Sequence, residues 1–63
     1  MNVSERKTYW KGYRAMKALA YDYGNADMAF REIYNSNCSN TFVRGAERAL
    51  AYIKRVGVAN ITA

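Results

Sequence analysis

Residues 4–23, SERKTYWKGYRAMKALAYDY, carry two separate stripes at one helical period, and this pairing constrains the fold more than any other stretch. At about 100° per residue, Tyr9, Tyr13, Met16, Ala20 and Tyr23 share one face, with Gly12 and Leu19 beside them. Arg6, Trp10, Arg14, Lys17 and Tyr21 share another, adjoined by Lys7. The first stripe needs a partner helix to cover it. The second sets two large aromatics among cations, where a helix ordinarily meets water. Periodicity alone leaves open whether Trp10 sits in that row or packs beneath a neighbouring element.

Punctuation elsewhere in the chain predicts two more helices. Ser4 is the expected N-cap of the first, with Glu5 complementing the dipole in its first turn. Gly24 suits its C-terminal cap. Gly12, inside the helix, costs about 1 kcal/mol relative to Ala, which predicts close approach of another backbone. Asn25 caps a middle helix over about residues 26–35, in which Ala26, Ala29, Phe30 and Ile33 share a face. The run NSNCSN at 35–40 breaks the period with turn and cap residues. It reads as a connection longer than the three or four residues of a helix-turn-helix. Asn40 or Ser39 then caps a third helix, over about 41–56.

In that third helix Phe42, Ala46, Ala49, Ile53 and Val56 form a stripe widened by Val43 and Leu50, while Arg44, Arg48 and Arg55 line the other side. Gly57 ends it, and Val58 and Ile61 in the tail are expected to fold over the core. The reading is therefore a single all-α domain over residues 1–63. It has three helices, two long and amphipathic (about 4–23 and 41–56) and one shorter between them (about 26–35). Small residues on the long pair, Gly12 and Ala20 against Gly45, Ala46 and Ala49, would let the two pack closely.

Size and residue types limit what such a domain can do. A chain of 63 residues buries only about 60% of the surface its unfolded form exposes, so its core is thin, and a second copy would help it as a homodimer. No apolar run approaches the length of a membrane span. The opening MNVSERK lacks the apolar centre of a signal peptide, and a cytoplasmic setting is expected. The chain has no His and one Cys, which leaves no conventional zinc site and no imidazole to activate Cys38. With five scattered carboxylates and no glycine-rich phosphate loop, neither an enzyme nor a cofactor is expected.

The net charge is +5 and it is unevenly placed. Arg6, Lys7, Lys11, Arg14 and Lys17 crowd the first long helix, and Arg44, Arg48, Lys54 and Arg55 the third. Polyanions are the natural partners of such a surface. Cations neutralise phosphates and release counterions, and Trp10 and Tyr21 can stack on exposed bases. The bland alternatives are a solvated surface and ordinary ion pairs of the arginines with Glu47, Glu32 or Asp27. A DNA reader would instead present Thr41, Arg44, Glu47 and Arg48 at the front of the third helix.

Two segments, WKGYRA at 10–15 and VRGAERA at 43–49, each place a Gly inside a basic helix. In this they resemble the ribosome modulation factor family, short basic bacterial proteins whose glycine-bearing helices carry similar Gly-Tyr and Gly-x-x-x-Ala spacing. The resemblance implies binding to ribosomes and promotion of their inactive, stored form, and it moves the expected partner from DNA toward structured RNA. The leading expectation is a nucleic-acid-binding module, RNA or a ribonucleoprotein ahead of DNA. Its contacts would be Arg6, Lys7, Trp10, Lys11, Arg14, Lys17, Tyr21, Arg44, Arg48 and Arg55. The competing expectation is a phage- or mobile-element-type effector that inhibits or modulates an acidic host protein through the same residues, Trp10, Tyr21 and Arg14 being of types common at interface hot spots.

Overall fold

The computed structural model describes residues 2–61. They form three α-helices, α1 (Val3–Tyr23), α2 (Ala26–Asn35) and α3 (Asn40–Val56), and a last turn of 3-10 helix over Val58–Asn60. No strand is present among the described residues. Thr62 and Ala63, the end of the expected tail, and Met1 lie outside them.

The helix ends follow from local hydrogen bonding. α1 starts earlier than residue 4 because Asn2, with extended backbone, accepts from the Glu5 N–H at 2.8 Å. The cap is therefore Asn2 and not Ser4. With Asn2 as cap, Glu5 takes the third helical position and completes the Asn-x-x-Glu spacing that Ser4 and Lys7 lacked. Ser4 instead lies within the first turn, where its carbonyl accepts from the Thr8 hydroxyl at 3.1 Å.

Gly24, at φ 66°, closes the other end by donating to the Ala20 and Tyr21 carbonyls. Asn25 follows at once and caps α2, accepting from the Met28 N–H at 3.0 Å. One residue ends a helix and the next begins another, so α2 folds back on α1 with almost no linker. The second connection is residues 36–39 and not the whole run 35–40, because Asn35 still belongs to α2 and Asn40 already to α3. At four residues it falls within the length of a helix-turn-helix connection, against the longer one expected. Asn37 takes the left-handed conformation here (φ 61°), which Asn tolerates better than most residues. Ser39 caps α3 through the Phe42 N–H.

α1 and α3 run the same way, their early residues meeting around Gly12 and Gly45 and their later ones around Lys17 and Tyr52. At the crossing each glycine receives the other helix's backbone. A Cβ at Gly12 would lie 2.8 Å from the Phe42 carbonyl carbon, and one at Gly45 would lie 2.8 Å from that of Tyr9. The expected close approach is present, and it explains why both helices accept the propensity cost of glycine.

The core below this crossing is small. It contains Met16, Ile33, Ile53 and five alanines, Ala20, Ala26, Ala29, Ala46 and Ala49, with Met16 and Ile53 its largest fully buried side chains. Tyr13, Leu19, Phe30, Phe42, Leu50 and Tyr52 pack around it, and Val58 and Ile61 of the tail close over it as expected. Tyr23 departs from the inner stripe and is 44% exposed. The chain turns away at Gly24, and Tyr23 is left on a shallow groove with Met28 and Arg31. Alanine-rich contacts draw the helices together into a flat body with Cα extents of 33 × 22 × 15 Å.

Candidate nucleic-acid interface

The outer stripe of α1 is a surface feature along its whole length. Arg6, Lys7, Lys11, Arg14 and Tyr21 are exposed and Lys17 is half-buried. Trp10 is 40% exposed, so it lies in the row and not beneath it. Its ring is nonetheless held. Tyr9 and Tyr13, one position before and three after, meet it edge-on with centroids 5.2 and 5.3 Å away, the arrangement preferred by the quadrupoles of aromatic rings. Val3, Arg6, Lys7, Lys11 and Arg14 line a shallow, largely basic hollow together with it.

A second hollow continues along α1, lined by Arg14, Lys17, Ala18, Tyr21 and Asp22, with Ile61 of the tail as its far wall. Arg14 belongs to both hollows and joins them. The third lies in the cleft between α1 and α3, where Tyr13, Ala51 and Tyr52 are flanked by Arg48 and Arg55. The Lys17 ammonium sits 5.3 Å from the Tyr13 centroid and 5.8 Å from that of Tyr52, a cation–π placement over both rings. Tyr13 touches Trp10 on one side and belongs to the cleft on the other. The three hollows are therefore contiguous, and the fold brings Arg48 and Arg55 to the same face as the α1 row. Arg44 is exposed one helical turn before Arg48 and lines none of the three.

None of these cations has a carboxylate partner among the described residues. The ion pair that does form, Lys54 with Asp27 at 3.2 Å, joins α3 to α2 and uses none of the residues of this face. The expected pairing of the arginines with Glu47, Glu32 or Asp27 is thus not made. Asp22 is the single acid lining the three hollows. Thr41 is half-buried, while Arg44, Glu47 and Arg48 point outward.

Tyr13 and Tyr52 belong to this site and sequence reasoning did not place them there. Tyr13 has the period of the inner stripe, which its half-buried state partly satisfies, and Tyr52 falls between the two stripes of α3. The readable signal was local: Tyr13 is four residues before Lys17, and Tyr52 four after Arg48, the spacing at which helix side chains meet. Their common location required the α1–α3 crossing. That crossing also sets the two glycine-bearing segments, 10–15 and 43–49, against each other.

The fold and face define a small all-α three-helix domain with a basic, aromatic-studded surface. No helix among the described residues is long and apolar enough to cross a membrane. Comparison with protein-family models, with curated proteins and with solved structures gave no match.

Proposed function

We propose that this domain is a cytoplasmic nucleic-acid-binding module, meeting structured RNA or a ribonucleoprotein such as the ribosome ahead of DNA. One observation carries the reading. Cations from two helices converge on one face around solvent-accessible aromatic rings, and none of them is neutralised by a carboxylate. Arg6, Lys7, Lys11, Arg14, Lys17, Arg48 and Arg55 supply phosphate contacts, with Arg44 at the margin, and Trp10 and Tyr21 supply stacking surface. RNA is placed ahead of DNA because its unpaired loops offer base faces to aromatic side chains. The two glycine segments that resemble the ribosome modulation factor lie at the crossing behind this face.

The test is a binding titration against salt. If all seven contacts engage, the logarithm of the affinity falls with that of salt at a slope of about −5 for a single strand. No binding at low salt, or binding indifferent to salt, refutes the proposal. A second reading is favoured by the hollow between Arg14 and Ile61, whose floor of Ala18 and Tyr21 suits an apolar side chain of an acidic protein. In that reading the domain inhibits or modulates a host complex. A partner recovered from lysate after complete nuclease treatment supports the protein reading over the RNA one.

A further inference from the structure

We infer that the ligand of this face is an unpaired stretch of polynucleotide, held on two aromatic platforms, Trp10 on α1 and the Tyr13–Tyr52 pair where α1 meets α3. The inference rests on the nucleic-acid reading and narrows it. Tyr9 and Tyr13 hold Trp10 in T-shaped contacts, and 40% of it is open. Arg6 and Arg14 stand four residues to either side, about 6 Å along the axis in each direction. A base laid on the indole thus has a cation before and after it for the adjoining phosphates. Tyr13 carries the surface across to Tyr52. There Lys17 overhangs both rings, and Arg48 and Arg55 flank them across Ala51.

This arrangement suits a strand whose bases are free. In a duplex the base faces are stacked on one another, and only phosphates and groove edges are offered to a protein. A duplex would use the cations and leave the rings idle. The rings also have a claim elsewhere, since among the described residues Met16 and Ile53 are the largest fully buried side chains. Trp10, left exposed beside so thin a core, is accounted for by a ligand with a π-face. Tyr13 and Tyr52 serve the core on one side and the cleft on the other. Stacking of this kind is sequence-tolerant because every base has such a face.

Trp10 is the single tryptophan of the chain, so its fluorescence reports on the first platform directly. The full chain is titrated at low salt with single strands of about 12 nucleotides, within the site sizes known for such surfaces, as RNA and as DNA. A loop-free duplex of two complementary strands of about 12 nucleotides, compared at equal phosphate concentration, is the comparison. Either single strand should quench Trp10 and bind about tenfold or more tighter than the duplex, and the tighter of the two identifies the natural sugar. Tyr52→Leu should lower single-strand affinity about 5- to 150-fold, the range for loss of one stacked base. Tyr52→Phe should stay within about twofold, and neither should alter duplex binding. If Tyr52→Leu fails to fold, Trp10 quenching and the single-strand to duplex ratio of the unsubstituted chain still decide.

A duplex that binds as tightly as the single strand, with Trp10 emission unmoved, overturns this inference and leaves the nucleic-acid reading in place. Absence of binding to every polynucleotide overturns both. Polyglutamate that quenches Trp10 and competes as well as RNA overturns the inference too, and points to an acidic protein as the occupant.

Discussion

Replacing Gly12 by Ala sets two physical effects of opposite sign against each other. Helix propensity alone predicts stabilisation by about 1 kcal/mol, since Gly is that much worse than Ala inside a helix. The crossing predicts the reverse. The new Cβ would lie 2.8 Å from the carbonyl carbon of Phe42, where carbon atoms in contact prefer about 3.5–4.0 Å. Phe42 presents backbone at this point, its carbonyl oxygen nearest of all, and cannot rotate away, so α3 must move out by at least about 1 Å. A gap of that size forfeits a quarter to a half of the dispersion energy across the contacts it opens. Those contacts include much of a core made of alanines. Overpacking of this kind costs about 1–3 kcal/mol, and a backbone obstacle argues for the upper end.

The net expectation for Gly12→Ala is destabilisation by about 2 kcal/mol, or a fall in Tm of about 8–16 °C for a domain of this size. Urea and thermal unfolding followed by far-ultraviolet circular dichroism measure it. Ala18→Gly, at an exposed position on the same helix, calibrates the propensity effect alone and should cost about 1 kcal/mol. A Gly12→Ala chain that melts at or above the unsubstituted one refutes the close-packed crossing.

Three further outcomes are expected. Asn2→Ala should destabilise by about 1 kcal/mol through loss of the cap, whereas Ser4→Ala should change stability by less than about 0.5 kcal/mol; the two melting curves, compared directly, identify the cap. Asn37→Gly should be neutral or slightly stabilising and Asn37→Ala destabilising by about 1 kcal/mol, because only the first relieves a left-handed backbone, as equilibrium urea unfolding would show. Arg14→Ala and Arg48→Ala should each weaken polynucleotide binding and lower the steepness of the salt dependence by about 1; an unchanged slope for Arg48→Ala would detach α3 from the interface.

The fold was legible where local chemistry decides it. Gly24 and Asn25 mark a helix end and a helix start, Ser39 a third start and Gly57 the last end, and all four act as caps in the structure. Gly12 and Gly45 announced a close approach because nothing else compensates a glycine inside a helix. Legibility failed where the answer depends on a neighbour distant in sequence. Tyr23 has the period of a core residue and lies exposed because no element extends far enough to cover it. Trp10 could not be placed from periodicity, since its exposure depends on where α2 and the tail run. Tyr52 is ordinary on α3 by itself. It becomes part of the candidate face only because the two glycines let α3 approach α1 closely enough for Lys17 to reach over its ring.

That none of these cations is paired with a carboxylate among the described residues also affects the protein without a ligand. Seven like charges held on one flat face repel one another, and the self-repulsion is released when the chain unfolds and the charges spread apart. Added salt shortens the range of that repulsion, from about 30 Å at 0.01 M to about 8 Å at physiological ionic strength. Salt should therefore raise the melting temperature of the free domain while it weakens the bound complex. A phosphate chain laid across the face does for the fold what the missing acids do not, and stability and binding should respond to ionic strength in opposite directions.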